Sequence, residues 1–165
     1  MIRPGGPADT DTLLAFFDDA VAWMVARGQP GQWGSEPWST QPNRVERVVA
    51  MAASNLWIAE VDGEPAGALV IDDSAPAWIP PADEPERYVR LLITKRAFAG
   101  RGIGADLLAF ARERTKAEGI GLLRVDCWAG ANGELIAYYV RDGFTPTEPF
   151  TVGDWHGQVL ARRLD

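Results

Sequence analysis

The sequence predicts a single α/β domain with a mixed sheet (α+β), in the order β-α-α-β-β-β-α-β-α-β-β. Three observations support this prediction. The chain has 165 residues, of which 47% are hydrophobic and 24% charged, values typical of one globular domain spanning residues 1–165. Strand-like runs alternate with segments of helical periodicity. Asp62-Gly63 lies between two apolar runs, which is a strong hairpin signal.

The first half of the chain predicts a short strand, two helices and a hairpin. Ile2-Arg3 forms the strand, and the first helix begins after Asp9 as N-cap and ends at Gly28. Its predicted inner face consists of Leu14, Phe17, Val21 and Met24. The second helix places inward Val45, Val48, Val49 and Ala52. The hairpin strands are residues 56–61 and 66–71.

The second half predicts strands and helices in alternation. Residues 88–94 and 122–127 read as buried strands, and a closing hairpin follows Phe144. The helix at 102–118 places inward Ile103, Leu107, Phe110 and Ala111. The helix at 132–142 places inward Leu135, Ile136, Tyr139 and Val140. Two connections are rich in Gly, Pro or acidic residues and predict irregular loops, at 29–38 and 72–86.

Charge and composition exclude several classes of function. The net charge is −7, with four basic and eleven acidic residues in 1–80 but twelve of each in 81–165. Such a chain lacks the basic face that nucleic acid requires. The five basic residues of the segment 87–101 suit an anionic ligand, and the acidic half suits a cationic one: Arg87, Arg90, Lys95, Arg96 and Arg101.

Targeting, cysteine and metal signals are few. The N-terminus has no signal-peptide stretch, no run approaches a membrane helix, and Cys127 is the one cysteine. We therefore expect a soluble cytoplasmic protein without an internal disulfide and without a membrane partner. One Cys and one His, Cys127 and His156, support neither a metal site nor a thiol nucleophile.

The segment Ala99-Gly-Arg-Gly-Ile-Gly104 carries the clearest chemical signal. Glycines at alternate positions allow close backbone approach to a ligand, and the N–H groups at a helix start bind anions. Arg101 adds a guanidinium suited to phosphate. The pattern Gly100-x-Gly102-x-x-Ala105 followed by Asp126 also satisfies a loose dinucleotide motif. However, five residues separate it from the strand, and too little chain follows for a doubly wound sheet.

A second motif accompanies this loop: Asn132-Gly-Glu-Leu-Ile-Ala-Tyr-Tyr139-Val-Arg-Asp-Gly143-Phe144. Together the two motifs resemble those of the GCN5-related N-acetyltransferases (GNAT superfamily), most specifically over residues 88–144, and the predicted element order agrees over nearly the whole chain. Ala99 stands where the family usually has Arg or Gln. Because the family's loop binds mainly through backbone N–H groups, we expect altered phosphate contact and not loss of binding.

The resemblance implies acetyl-CoA as acyl donor and assigns residues to it. The backbone of Leu92, Ile93 and Thr94 would bind the pantetheine arm, and Asn132 would hydrogen-bond the same arm. Tyr139 would protonate the departing thiolate. The pyrophosphate cradle would consist of Ala99, Gly100, Arg101, Gly102, Ile103, Gly104 and Ala105. The structural alternatives are an N-cap role for Asn132 and a core role for the Tyr139 ring.

The general base and the acceptor site are less clearly marked. Tyr88 stands where some family members have a glutamate, so Glu86 is the candidate base, acting through a water molecule, if the strand reaches that far. The alternative is that the amine binds already neutral and no residue serves as base. Trp33 and Glu36 lie in the segment that borders the family's acceptor pocket, and Tyr88 is placed beside it. Asp126, inside a predicted strand, is either a substrate anchor or a satisfied structural acid.

These observations predict an N-acetyltransferase that moves an acetyl group from acetyl-CoA to a primary amine by direct attack in a ternary complex. The acceptor is a small molecule or a peptide, and the sequence does not identify it. A non-catalytic acyl-CoA-binding module is the alternative, because the usual glutamate is missing at position 88. A homodimer is frequent in the family, although no interface is evident in the sequence.

Overall fold

A computed structural model describes residues 1–165 and contains seven strands and four α-helices in the predicted order. The strands are β1 (Ile2–Pro4), β2 (Leu56–Val61), β3 (Glu64–Asp72), β4 (Arg87–Thr94), β5 (Leu122–Trp128), β6 (Thr145–Val152) and β7 (Trp155–Arg163). The helices are α1 (Thr10–Ala26), α2 (Pro42–Ala52), α3 (Ile103–Ala117) and α4 (Glu134–Asp142). The predicted mixed α/β class is therefore confirmed.

The seven strands form one mixed sheet in the order β1-β2-β3-β4-β5-β7-β6. β1 and β2, β2 and β3, β5 and β7, and β6 and β7 pair antiparallel, whereas β4 and β5 pair in parallel. The parallel pairing joins Arg87, Tyr88 and Val89 to Leu123, Arg124 and Val125. Asp62 and Gly63, both with positive φ, form the predicted hairpin turn between β2 and β3.

Contacts divide the chain into two compact units, Met1–Ile71 with Leu91–Leu107 and Asp72–Arg90 with Leu108–Asp165. The boundaries fall inside β3, β4 and α3, and the single-domain assignment stays a prediction. None of the four helices combines the length and the apolar character needed to cross a membrane.

The core of the first unit lies between α1 and α2 and the strands beneath them. On α1 the buried stripe includes Leu13 and Phe16, which the sequence prediction missed, while Leu14 is only partly buried. On α2, Val48 and Ala52 are buried as predicted, but Val49 is 49% exposed. The helical spacing of the apolar residues was predicted correctly in both helices. In α1, however, the buried stripe also includes residues one position before those predicted.

The irregular loop between α1 and α2 is anchored by aromatic packing. Trp38 is buried and stacks on Phe17 with 4.0 Å between ring centroids. Trp33 packs edge-on against both rings, and its carbonyl accepts a hydrogen bond from the Trp38 indole N–H at 3.0 Å. A loop with no hydrophobic period therefore contributes two rings to the packing around Phe17.

In the second unit, the buried residues Ile79, Tyr88 and Val159 pack together, with Ala75 and Phe150 against them. The start of α4 differs from the prediction. Asn132 has φ +59° and lies in a 3₁₀ turn, so it is not the N-cap, and the helix begins after Gly133. Val140, predicted to point inward, is 45% exposed.

Candidate active site

The glycine loop, residues 99–105, connects a 3₁₀ turn at Arg96–Phe98 to the first turn of α3. Gly100 and Gly102 both have φ +78°, and a Cβ atom added at either position would meet no atom within 4 Å. The positive φ explains why glycine is required there. The first N–H groups of α3 have no partner within the helix. The loop therefore offers backbone donors beside open space, which suits a phosphate group.

Arg101 is the basic residue of this loop, and its guanidinium lies 5.3 Å from the Phe98 ring centroid. It forms no ion pair within the protein, so its N–H groups are available to an anion. The other four basic residues of the segment 87–101 do not form the anion-binding cluster that the sequence predicted, because each contacts another side chain of the protein. Arg87, Arg90 and Lys95 pair with Glu118, Asp72 and Glu64, and Arg96 stacks on Trp23 at 3.6 Å.

β4 supplies the backbone expected to bind the pantetheine arm. Its pairing with β5 ends at Val89, so the backbone groups of Leu92, Ile93 and Thr94 have no partner on β5. The side chain of Ile93 is buried in the core of the first unit, and Leu92 and Thr94 are half-buried. β4 is thus held by its pairing with β3 and by the buried side chains of Leu91 and Ile93, while the edge of residues 92–94 on the other side pairs with no strand.

Tyr139 lies on α4 with its ring buried against Phe144 at 5.7 Å and against Tyr138 at 5.4 Å. Its hydroxyl makes no hydrogen bond within the protein. The one fully buried polar side-chain atom without a partner is Nε of Arg96, so the Tyr139 hydroxyl keeps a small exposed surface. Burial raises the pKa of Tyr139 well above its ordinary value, and the nearby Cys127, Tyr138 and Asp126 add to the rise. The phenol is therefore protonated at neutral pH.

Asn132 lies two residues before α4, and its side chain is exposed. Its left-handed backbone is uncommon for a residue other than glycine. Ala131 before it has φ +52° and Gly133 after it φ +75°. The side chain is free for a ligand, and its contact with the pantetheine arm stays a prediction.

Tyr88 and Asp126, which are 38 residues apart in sequence, form a hydrogen-bonded pair. The hydroxyl of the fully buried Tyr88 donates to Oδ2 of Asp126 at 2.6 Å. Burial raises the pKa of both groups, and in Asp126 the hydrogen bond from Tyr88 and the charge of Arg90 partly oppose the rise. The pair brings together two of the residues predicted for substrate binding.

Glu86, the predicted base, forms a buried ion pair with Arg124. β4 begins at Arg87, so the strand does not reach Glu86, whose carboxylate is 5% exposed. It accepts hydrogen bonds from Nε and Nη2 of Arg124 at 2.7 and 2.9 Å and from the Ala82 N–H. Burial raises the pKa of Glu86, but these hydrogen bonds outweigh it and lower the pKa overall. A buried carboxylate so neutralised is a poor proton acceptor, so the assignment of Glu86 as base is withdrawn.

Trp33 and Glu36, which were predicted to contact the acceptor, lie in the loop between α1 and α2. The Trp33 ring is half-buried in the aromatic packing described above, and Glu36 is exposed in the same loop; their contact with an acceptor stays a prediction. Two further residues were not among the predicted site residues: Arg124, which neutralises Glu86, and Trp78. Trp78 is 54% exposed, and the Arg90 guanidinium lies 5.7 Å from its ring centroid. A Trp in an acidic, proline-rich loop was the available signal.

Comparisons with known proteins show the family to which this chain is similar. The model of the acetyltransferase (GNAT) family matches residues 19–144, which is more than half of the chain. A search of curated proteins finds no significant match.

Solved structures resemble the chain over nearly its whole length. A GNAT acetyltransferase from Listeria monocytogenes 4b F2365 has a TM-score of 0.72 at 21% identity, covering 99% of this chain and 94% of its own. PaiA N-acetyltransferase from Thermoplasma acidophilum, in complex with coenzyme A, has a TM-score of 0.73 at 19% identity, and the match covers 99% of this chain and 98% of that one. The yncA protein from Salmonella typhimurium, with its cofactor acetyl-CoA, has a TM-score of 0.64 at 17% identity, and the match covers 100% of this chain and 94% of that one. At these identities the likeness shows the fold.

Proposed function

Because the chain belongs to the acetyltransferase (GNAT) family, we propose that it transfers an acetyl group from acetyl-CoA to a primary amine. The proposed reaction is direct attack of the amine nitrogen on the thioester in a ternary complex. The observation that carries the proposal is the glycine loop at the start of α3, with two positive-φ glycines beside open space. Two structural neighbours solved with coenzyme A or acetyl-CoA support the choice of donor.

Residues of the first unit would bind the donor. The N–H groups of Gly100, Gly102, Ile103, Gly104 and Ala105 would hold the pyrophosphate, with the Arg101 side chain supplying a charge-assisted hydrogen bond. The N–H groups of Ala99 and Arg101 already donate to the carbonyls of Arg96 and Phe98. The peptide groups of Leu92, Ile93 and Thr94 would hold the pantetheine arm in the manner of an added strand. The contact of Asn132 with this arm stays a prediction.

Tyr139 would supply the proton that the leaving thiolate needs. Attack of the amine forms a C–N bond and breaks the C–S bond, so the nitrogen loses a proton and the sulfur gains one. A positioned acid for the second transfer contributes roughly 10²–10⁴-fold. The buried ring and accessible hydroxyl of Tyr139 suit that role.

The acceptor is proposed as a small-molecule or peptide amine, with Trp33 and Glu36 contacting it. Glu36 is exposed and forms no ion pair within the protein, so its carboxylate is free to attract a cationic amine. The cytoplasmic location and the homodimer expected from the family stay predictions.

Donor binding is tested by thermal unfolding. At 100 times its Kd, acetyl-CoA should stabilise the fold by about 2.7 kcal/mol, which corresponds to a Tm increase of about 5–10 °C for a domain of this size. NAD at the same concentration should give no comparable increase. Gly102→Val should abolish the shift, because the branched side chain fills the space proposed for the phosphate.

Gly28→Val is the matched control for this variant. Gly28 also has positive φ, +70°, and open space around an added Cβ, but it follows α1 and not the glycine loop. Both variants carry the same backbone strain, so only Gly102→Val should lose the acetyl-CoA shift. A shift with NAD and none with acetyl-CoA would contradict the donor assignment.

A further inference from the structure

Asp126 forms no direct ion pair, unlike Glu86 and Asp72 in the same unit, although the charge of Arg90 acts on it from nearby. The carboxylate of Glu86 is paired with Arg124, and that of Asp72 with Arg90 at 3.1 Å. Asp126 receives a hydrogen bond from the Tyr88 hydroxyl and forms no ion pair. Asp126 is therefore a half-buried carboxylate whose one hydrogen-bond partner is a neutral hydroxyl.

The geometry leaves one oxygen of Asp126 open. Oδ2 accepts the Tyr88 hydroxyl at 2.6 Å, while Oδ1 makes no hydrogen bond within the protein. Since Nε of Arg96 is the one buried polar side-chain atom without a partner, Oδ1 is accessible from outside. Tyr88 is rigidly held, because its fully buried ring packs against Ile79 and Val159.

From this arrangement we infer that Asp126 is the catalytic base of the proposed acetyl transfer, binding the acceptor as an ammonium ion and taking its proton, with Tyr88 as positioning residue. The inference rests on the proposed function. It also replaces the base that Glu86 cannot supply. The carboxylate that receives the proton is thus on β5, one residue beyond the last residue of β5 that pairs with β4.

The protons of the reaction are balanced by Asp126, Tyr139 and solvent. Oδ1 of Asp126 takes a proton from the ammonium group, which leaves a neutral amine with a free electron pair. The nitrogen attacks the thioester carbon, the C–N bond forms and the C–S bond breaks, and the second nitrogen proton goes to solvent as the amide forms. The thiolate takes the Tyr139 proton. Solvent then reprotonates Tyr139 and removes the proton from Asp126.

The electrostatics of the surrounding groups favour this order of events. The groups that face Asp126 are Tyr88 and Arg90 from β4, Cys127 on its own strand and Tyr139 from α4. Burial raises the pKa of Asp126 above its ordinary value, which makes it a better base. The negative charge of Asp126 also raises the pKa of Tyr139. When Asp126 takes a proton, this charge disappears, and Tyr139 becomes a stronger acid for the thiolate.

The test is the pH dependence of thiol release from acetyl-CoA with an amine that supports turnover. Asp126→Asn preserves the acceptor for the Tyr88 hydroxyl but removes the base. At pH 7 its kcat/KM should fall roughly 10²–10⁴-fold and should recover as the pH rises above the pKa of the free amine. The acetyl-CoA Tm shift of this variant should equal that of the wild type, which shows that the fold and donor binding persist.

Two further variants serve as a control for the Asp126 substitution and as a test of the role of Tyr88. Asp73→Asn removes an exposed carboxylate of the same unit and should leave kcat/KM unchanged. Tyr88→Phe removes the hydrogen bond that lowers the pKa of Asp126, so the acidic limb of the kcat/KM profile should move up by about one pH unit. A merely structural tyrosine would change stability without moving this limb.

Failure of this inference is distinguishable from failure of the proposed function. If the wild-type protein releases thiol only in the presence of an amine, but Asp126→Asn performs like Asp73→Asn, the assignment of Asp126 is overturned and the function stands. An unmoved acidic limb in Tyr88→Phe overturns the positioning role. If the wild-type protein releases no thiol with any primary amine, the proposed function falls and this inference falls with it.

Discussion

Replacing Tyr139 by phenylalanine should lower kcat by roughly 10²–10⁴-fold, the usual contribution of a positioned acid. The ring is buried against Phe144 and Tyr138, and phenylalanine preserves that packing while removing one proton. The buried Cys127 thiol nearby shows how strongly this environment disfavours a thiolate, because burial raises its pKa to about 12. A leaving thiolate in such surroundings takes up a proton readily, and Tyr139 is the protonated group assigned to give it.

Tyr138→Phe provides the matched control, since Tyr138 is adjacent on α4 and makes ring contact with Tyr139. Its kcat should stay within about twofold of the wild type, because no role in proton transfer is assigned to it. Both variants should keep the wild-type acetyl-CoA Tm shift. A fully active Tyr139→Phe enzyme would remove the acid assignment, and loss of the Tm shift in that variant would instead indicate a role in donor binding.

Arg124→Met should destabilise the protein by about 3–5 kcal/mol, which is the usual cost of leaving one partner of a buried ion pair uncompensated. Arg124 and Glu86 are 8% and 5% exposed, and Arg124 also donates to the Pro80 carbonyl at 3.0 Å. The corresponding decrease in Tm is about 6–20 °C for a domain of this size. The measurement is thermal unfolding at pH 7 without ligand.

Two comparisons identify the buried charge as the cause. The double variant Glu86→Leu, Arg124→Met should recover most of the lost stability, because two apolar side chains leave no buried charge. Arg163→Met breaks the solvent-exposed pair with Glu84 in the same unit and should leave Tm nearly unchanged. Equal losses from Arg163→Met and Arg124→Met would contradict this account.

The pair also predicts a dependence on pH. The pKa of Glu86 lies below its ordinary value of 4.5 in the folded protein. Its contribution to the free energy of unfolding is therefore complete above that value and is lost as the pH falls through the lowered pKa. The difference in Tm between the wild type and the double variant should change only in this acidic range. A difference that changes near neutrality would implicate another group.

Local patterns predicted the fold well because helices and hairpins are encoded over short distances. The period of α1 and the Asp62-Gly63 turn specify their elements within a few residues of sequence. The buried stripe was placed less well, since its centre depends on the partners that pack against it. Trp38 illustrates the limit: it lies in a loop without period, and only its stacking on Phe17 makes it a core residue.

The candidate site was predictable in part for the same reason. The glycine loop is a local motif, and its positive φ values follow from its residues. The Tyr88–Asp126 hydrogen bond and the Glu86–Arg124 ion pair each join residues 38 positions apart, so no local pattern contains them. Glu86 was chosen as base from its position near the start of a strand, and the arginine that neutralises it lies on another strand.

The most direct test of the proposed acetyltransferase activity is thiol release from saturating acetyl-CoA across a panel of primary amines, with the acetylated product identified by mass. The account predicts release that depends on the amine and equals the N-acetylated product in amount. An acetyl-CoA Tm shift without amine-dependent release from any member of the panel would contradict the account and would identify the protein as a non-catalytic acyl-CoA-binding module.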